Sequence, residues 1–358
     1  MSTIVTIRLA RAADGPALKA HLTRLTEFSV REPDESPDWL ESPEDDLARL
    51  LEGGDRIHLL LADDEIVGSV GLSRGRRYRV RSLATLGIGL EKPFKGRGWG
   101  RQLMELAEAQ ARADGLHKIE LFVRPDNDRA LSLYRGLGYE QEGRLVGNQQ
   151  VDGHPVDDIV MGKVLRHLPP AVCFDAVEDK RKSDGDVASV DLRAPTPKDA
   201  AAFLAYRRDL CRETRGPMLD PRDALPTEDE ARNQFSRNGG PDRLSLAAFC
   251  GDRMVAAIGA EAGPYRRLSH AATMGMGVLR PWWGSGLADR LMDALFEWAG
   301  RTGKRRIALG VFAHNPRGRA FYLRHGFVEE GTSGAHAMID GRPADLVRMA
   351  KMVGASAA

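Results

Sequence analysis

The sequence predicts an α/β (α+β) fold that consists of two tandem copies of one domain. The chain has 358 residues, which is long for a single hydrophobic core. Apolar residues follow strand-like and helix-like spacings in alternation along the chain. A register of matching residues recurs 188 positions later, without a gap from about Asp55 to about Lys163. These observations predict domains at 1–168 and 189–358, joined by a linker at 169–188.

The composition argues against several classes of protein. Hydrophobic residues make up 42% and charged residues 29% of the chain, as in ordinary soluble proteins. The formal net charge of +1 gives no argument for a nucleic-acid partner or a membrane surface. The cysteines Cys173, Cys211 and Cys250 are odd in number and widely spaced, which argues against disulfides and a zinc site. We therefore expect a cytoplasmic protein without a leader, a membrane span or a metal.

The first copy contains alternating strand and helix patterns. Val5–Leu9 alternates like a strand, and a helix after Asp14 presents Leu18, Leu22 and Leu25 on one face. The segment from Glu32 to Asp46 is acidic, and its bland interpretation is a solvated loop or helix start. Further strands are predicted at 57–62, 66–72, 86–90, 118–123, 139–145 and 157–165, with helices at about 101–112 and 127–136.

A glycine-rich turn connects the strand Leu86–Leu90 to the helix that begins near Arg101. This turn, Lys95–Gly100, places glycines where the main chain enters the helix. Backbone N–H groups at a helix N-terminus have no intrahelical partner, and the helix dipole adds positive potential, so the turn suits a phosphate. Taken alone, such glycines are more often ordinary turn chemistry.

The repeat strengthens the phosphate interpretation, because the turn and the residues that follow it occur twice. Each copy also carries an Asn that starts a helix and a Tyr seven residues later. Lys95 is replaced by Trp283 in the second copy, which leaves open whether that site is weaker. The matching pairs are Gly96 and Gly284, Gly98 and Gly286, Asn127 and Asn315, and Tyr134 and Tyr322. Between the copies, Pro169-Pro170 and a charged run at 178–184 indicate a linker.

The motifs resemble those of the GNAT-type N-acetyltransferase superfamily. Lys95–Gly100 is similar to its R/Q-x-x-G-x-G/A motif, and Asn127–Tyr139 to the motif that follows, with both repeated in the second copy. The resemblance implies a mixed central sheet flanked by helices in each copy and acetyl-CoA as co-substrate. The first copy is most similar to the amino-acid and small-amine branch. The implied cofactor-binding residues are Ile88, Leu90, Lys95, Gly96, Arg97, Gly98, Trp99, Gly100, Arg101 and Asn127, and Met276, Val278, Gly284, Ser285, Gly286, Leu287, Ala288 and Asn315.

The resemblance also places Tyr134 and Tyr322 at the position of the general acid that protonates the CoA thiolate. The alternative for each is a packed tyrosine with a hydrogen-bonded hydroxyl. The glutamate that many relatives carry on the strand before the turn is missing from both copies. Glu261, His270 and the acidic segment Glu32–Asp46 remain candidates for the base that deprotonates the amine.

The sequence therefore predicts an acetyltransferase that acts on a primary amine of a small molecule, such as an amino acid, a polyamine or an antibiotic. The acidic segment would attract a cationic amine. One alternative is acetylation of protein N-termini or lysines. Another is that the second domain only binds acyl-CoA or has a structural role. Specificity is expected in loops that differ between the copies, at 28–46 and 214–230. A monomer and a homodimer are both compatible with the sequence.

Overall fold

The computed structural model describes residues 4–25, 42–171, 189–213, 219–236 and 239–354. Most of the acidic segment, at 32–41, lies outside the described residues, as do 172–188 of the expected linker and part of the second specificity loop at 214–218. The boundaries of the two domains thus stay a prediction.

Each copy contains seven strands and four helices within the described residues. The first copy contains α1 (Gly15–Arg24), α2 (Pro43–Glu52), α3 (Trp99–Ala113), α4 (Asp128–Gly136), β1 (Val5–Leu9), β2 (Arg56–Ala62), β3 (Glu65–Arg74), β4 (Leu83–Leu90), β5 (Lys118–Val123), β6 (Glu140–Val151) and β7 (His154–Val164). The second contains α5 (Ala200–Glu213), α6 (Glu228–Ser236), α7 (Leu287–Arg301), α8 (Pro316–Arg324), β8 (Val190–Arg193), β9 (Arg243–Cys250), β10 (Arg253–Ala262), β11 (Ala271–Val278), β12 (Arg306–Phe312), β13 (Val328–Ile339) and β14 (Arg342–Met352).

Local sequence explains the main elements. Helix α3 buries Leu103, Met104, Ala107 and Ala111, whose spacing forms one apolar face against the sheet. The β6–β7 hairpin turns at Asp152-Gly153, where both residues have positive φ (51° and 79°), as a tight hairpin turn requires. In the second copy, α7 packs on the corresponding core in the same way. No helix among the described residues is long and apolar enough to cross a membrane.

The strands form one mixed sheet that runs through both copies. The order is β1-β2-β3-β4-β5-β7-β6-β13-β14-β12-β11-β10-β9-β8, so the second half reverses the first. Among these pairings, β4–β5 and β11–β12 are parallel and the others are antiparallel. This confirms the predicted mixed sheet in each copy. The two sheets are joined where β6 meets β13 at Gly143 and Gly331, residues that are 188 positions apart.

Buried ion pairs flank this junction on the side of the first copy. The ammonium group of Lys118 is fully buried and donates to the carboxylate of Glu142 at 2.7 Å. The same ammonium also donates to the main-chain carbonyl of Gly334, in the second copy. Glu142 in turn accepts the main-chain N–H of Gly334 at 3.1 Å. The lysine and the glutamate therefore tie the two copies together.

The second copy repeats this arrangement with a guanidinium in place of the ammonium. Arg306 stands 188 positions after Lys118, pairs with Glu330, and donates from Nε to the carbonyl of Val146 at 2.9 Å. Glu330 accepts the N–H of Val146 at 2.8 Å. The interface between the copies therefore has approximate two-fold symmetry, like that of an isologous dimer.

Candidate functional site

A gap between β4 and β5 defines the candidate site of the first copy. The two strands pair in parallel from Leu83 and Lys118 to Leu86 and Leu121. Beyond Leu86, β4 continues to Leu90 with β3 as its partner, so its other edge has no strand beside it. The edge of a strand presents N–H and C=O groups that an extended ligand can pair with.

The register of β4 decides which residues face the gap. The N–H of Glu91 donates to the carbonyl of Val67 at 2.9 Å, on the β3 side. N–H and C=O groups of one residue point to the same side in an antiparallel pair, and alternate residues point to opposite sides. The main-chain groups of Ile88 and Leu90 consequently face the gap. These are the two strand residues that the family resemblance implies.

The glycine turn lies at the end of this strand and leads into α3. The first intrahelical hydrogen bond runs from the N–H of Gln102 to the carbonyl of Gly98 at 3.2 Å. The N–H groups of Trp99, Gly100 and Arg101 therefore precede the hydrogen-bonded helix. The positive end of the helix dipole lies at the same place, which suits an anion.

Two of the glycines are required by conformation, and the third is not. Gly96 and Gly98 have φ of +80° and +89°, in the left-handed region, and a Cβ on either would meet nothing within 4 Å. A ligand can thus approach the main chain at both positions. A Cβ on Gly100 would instead lie 3.4 Å from the side chain of Leu133 and 3.5 Å from that of Leu90. These are ordinary contact distances, so a residue as small as alanine fits at this position.

Helix α4 brings Tyr134 to the same region. Leu133, next to Tyr134, packs near the glycine turn, as the spacing at Gly100 shows. Tyr134 is 6% exposed, and burial raises the pKa of its phenol to about 12. The side chain of Asn127 accepts the N–H of Ala130 at 3.2 Å, so it caps α4. This cap positions the helix that carries the tyrosine.

The second copy has the same gap. Strands β11 and β12 pair from Ala271 and Arg306 to Thr273 and Ala308 only. The N–H of Leu279 donates to the carbonyl of Val255 at 3.0 Å, so Met276 and Val278 face the gap by the same alternation. Gly284 and Gly286 again have left-handed φ, at +78° and +87°. Burial raises the pKa of Tyr322 to about 12. Asn315 caps α8 by accepting the N–H of Gly318 at 2.9 Å.

In the second copy, side chains form hydrogen bonds with two main-chain groups beside the gap. The indole of Trp283 donates to the carbonyl of Val278 at 2.7 Å, and Arg317 lies over the ring of Trp283 at 4.5 Å. The hydroxyl of Ser285 accepts the N–H of Leu287, the first residue of α7, at 3.2 Å. A strand carbonyl and a helix N–H are thus already hydrogen-bonded within the protein.

A cavity of about 1640 Å³ in the second copy connects the cofactor side with a second region between α5, α6 and the sheet. The predicted residues that line it are Met276, Val278, Gly284, Gly286, Ala288, Asn315 and Tyr322. The second region is lined by side chains such as Phe203, Arg207 and Phe235. The cavity therefore has room for a cofactor arm and an acceptor.

The candidates for the base that deprotonates the amine lie at different distances from the gap. His270 precedes β11 at its paired end, away from the gap, and its Nε2 contacts the carbonyl of Gly147 across the copies at 2.9 Å. Glu261 lines the cavity and is ion-paired with Arg243. In the acidic segment, Asp46 accepts the N–H of Ser42 at 3.1 Å and stabilises the start of α2. The segment 32–41 is outside the described residues.

One polar cluster beside the gap was not predicted. His21 of α1 is fully buried, and its Nδ1 lies 3.1 Å from the carboxylate of Glu91, which directly follows Leu90. Arg24 donates to the same carboxylate oxygen at 2.8 Å. Burial lowers the pKa of His21, so its imidazole is neutral at pH 7. The sequence signal for this cluster is a histidine on the otherwise apolar face of α1.

Comparison with known proteins supports this description. A profile described as the acetyltransferase (GNAT) family matches residues 22–139 and 207–327. The mycothiol acetyltransferase of Jonesia denitrificans is 33% identical over 120 residues, which cover 33% of this chain and 34% of that protein. The acetyltransferase SG1711 of Sodalis glossinidius is 34% identical over 106 residues, which cover 29% of this chain and 71% of that protein. The chain thus spans about a third of the first relative's length.

One solved structure overlaps about half of the chain. A GNAT superfamily phosphinothricin acetyltransferase from Sinorhizobium meliloti, in complex with AcCoA, is 21% identical with a TM-score of 0.41, over 46% of this chain and 89% of that chain. The family match covers more than half of the chain and falls once in each copy. The protein therefore belongs to the GNAT family of acetyltransferases, with two tandem members of that family in one chain.

Proposed function

We propose that the protein transfers an acetyl group from acetyl-CoA to the primary amine of a small molecule, such as an amino acid, a polyamine or an amine-bearing antibiotic. The observation that carries this proposal is the strand gap of the first copy, with a glycine turn and a helix N-terminus at its end. An extended arm with a phosphate group at one end is complementary to that arrangement.

The first copy supplies groups for each part of acetyl-CoA. The N–H groups at Gly96–Arg101 would bind the pyrophosphate, and the side chains of Lys95, Arg97 and Arg101 add positive charge nearby. The main chain of Ile88 and Leu90 would pair with the pantetheine arm. A strand N–H near Ile88 would stabilise the negative charge that develops on the thioester oxygen when the amine attacks.

Tyr134 would stabilise the leaving thiolate. A phenol with a pKa of about 12 stays protonated at neutral pH, so it is always available as a donor. Complete proton transfer to a thiolate whose conjugate acid has a pKa of about 8.5 is unfavourable from such a phenol. The phenol would therefore act mainly by donating a strong hydrogen bond to the sulfur.

Release of the CoA thiol, measured with a panel of amines, tests the function. Tyr134→Phe should lower kcat by a factor of about 10² or more if the phenol stabilises the thiolate. Tyr139→Phe is the matched control, because that ring is also buried and lies 6.1 Å from the ring of Tyr134. Equal turnover of the wild type and Tyr134→Phe would refute the role of Tyr134. Thiol release only with peptides would favour the alternative of protein acetylation.

A second candidate concerns the second copy alone, which would have a structural role and bind acyl-CoA weakly or not at all. The contacts of Trp283 with Val278 and of Ser285 with Leu287 favour it, because they use groups that a cofactor would need. Calorimetric titration of the full chain with CoA separates the cases. One equivalent bound per chain supports this candidate, and two equivalents of similar affinity contradict it.

A further inference from the structure

The wall of the cavity in the second copy carries an arginine with incomplete hydrogen bonding. Arg207 on α5 lines the cavity, and its guanidinium carbon lies 5.5 Å from the ring of Phe203. Its Nε atom is buried without a hydrogen-bond partner. A buried N–H donor without an acceptor costs free energy, and a ligand would recover it if the guanidinium turned to present this donor to the cavity.

A second arginine reaches the same cavity from the first copy. Arg77, in the segment between β3 and β4, lines the cavity together with Leu145 and Asn148. Burial is the largest cause that lowers the pKa of Arg207, and repulsion from the charge of Arg77 lowers it further, whereas the negative charge of Asp223 raises it. A bound anion would relieve this repulsion.

The nearest carboxylates are already engaged. Asp223 accepts the main-chain N–H groups of Tyr78 and Asp220. Glu213, which also lines the cavity, accepts the N–H of Arg280 at 2.7 Å. No ion pair joins any described carboxylate to Arg207 or Arg77 within 4 Å. Both carboxylates thus hold main-chain N–H groups, and neither is the acceptor of the buried Nε of Arg207.

The rest of this region is apolar. Phe203 and Phe235 meet edge to face with their ring centroids 5.1 Å apart, and Leu210 and Leu246 complete the wall. An apolar side chain of a ligand would fit against these residues, because it would remove their surface from water.

The first copy has a different residue at the position that corresponds to Arg207. Arg193 and Asp199 form the same ion pair as Arg8 and Asp14, 185 positions earlier, which aligns α5 with α1. With this offset, Arg207 corresponds to Leu22. The two copies therefore present different acceptor regions.

We propose that this part of the cavity binds the carboxylate of a small amino acid with an apolar or aromatic side chain, through Arg207 of the second copy and Arg77 of the first. A planar guanidinium binds a carboxylate with two parallel hydrogen bonds, and an aromatic ring beneath it limits its motion. The proposal rests on the proposed function for the identity of the acceptor, but the binding of the carboxylate is independent of acetyl transfer.

The test compares ligands that differ only in the carboxylate. Binding of L-phenylalanine and phenethylamine to the full chain is measured by calorimetry and thermal shift, without acetyl-CoA. We expect phenylalanine to bind at least 10-fold more tightly than phenethylamine. Arg207→Gln should weaken the binding of phenylalanine about 10- to 100-fold, as expected for the loss of a charge-assisted pair. The binding of phenethylamine should stay nearly unchanged. Arg208→Gln on the exposed side of α5 is the matched control and should bind like the wild type.

Two further variants keep the proposal falsifiable. Arg77→Gln changes an exposed residue outside the second copy and should weaken the binding of phenylalanine severalfold. This variant therefore tests the site even if Arg207→Gln fails to fold. Arg207→Lys should retain part of the preference. Equal binding of the two ligands, binding of neither, or an unchanged affinity in both glutamine variants would overturn the proposal.

The outcomes also separate this inference from the proposed function. If phenylalanine binds through Arg207 and no thiol is released in the full assay, the carboxylate site stands and the proposed acetyl transfer fails. If thiol is released with amines while Arg207→Gln binds phenylalanine as tightly as the wild type, the function stands and the carboxylate site fails.

Discussion

Replacement of Arg306 by methionine should destabilise the protein strongly. The guanidinium is 1% exposed, and its partner Glu330 is 4% exposed. Methionine keeps much of the volume but leaves the glutamate buried without its cation. Loss of one partner of a buried ion pair costs about 3–5 kcal/mol, which is a large part of the roughly 5–15 kcal/mol by which folded proteins are stable. With a urea m-value near 3 kcal/mol/M, the unfolding midpoint would fall by about 1 M or more.

The surface ion pair of Arg253 and Asp209 provides the control. Its side chains are 61% and 36% exposed, so Arg253→Met should cost less than about 1 kcal/mol. The double variant Arg306→Met with Glu330→Met should recover part of the stability, since no buried charge remains. Urea unfolding followed by circular dichroism measures all three. An effect of Arg306→Met no larger than that of Arg253→Met would refute the reasoning.

Three further predictions concern pH, conformation and the cofactor. Burial lowers the pKa of His58 and His117. Both side chains are neutral in the folded state and take up a proton at about pH 6.5 when the protein is unfolded. The free energy of unfolding should therefore fall as the pH drops from 7.5 to 5.5, and it should fall less in His117→Asn. Gly98→Ala should cost about 1–2 kcal/mol, because its φ is left-handed, whereas Gly300→Ala inside α7 should stabilise by about 0.5–1 kcal/mol. Trp283→Lys should strengthen CoA binding to the second copy, measured as added stoichiometry in calorimetry.

Each of these predictions has an outcome that contradicts it. A melting temperature that is constant between pH 7.5 and 5.5 would show that the buried histidines do not couple to unfolding. Equal melting temperatures for Gly98→Ala and Gly300→Ala would exclude backbone strain at the turn. Unchanged CoA stoichiometry in Trp283→Lys would mean that the indole does not block the gap.

The features that depend on neighbouring residues were predictable from the sequence. Glycine spacing predicts the turn before α3, and the resemblance to the family singles out Ile88 and Leu90 on the strand before it. The internal repeat then transfers the same features to the second copy. The family motifs lie in these segments. The match of the family profile to both copies confirmed that the chain is an acetyltransferase of this family.

The features that depend on distant contacts were not predictable. The pairing of Gly143 with Gly331 joins strands that are far apart in the chain, and neither strand signals its partner by hydrophobic pattern. The hydrogen bond from Trp283 to Val278 depends on a rotamer that the substitution of lysine by tryptophan does not determine. The position of Arg77 and Arg207 in one cavity likewise depends on how the copies pack. These contacts decide how the two sites differ.

The joined sheet has a consequence for how the two copies can diverge. In a dimer of identical subunits, one codon change alters both halves at once, so a substitution must suit both sites. Here the two halves are encoded separately. Lys118 and Arg306 already differ at equivalent positions of the junction, and Lys95 and Trp283 differ at the two turns. One half can therefore specialise in a new ligand while the other keeps the original chemistry and continues to support its fold.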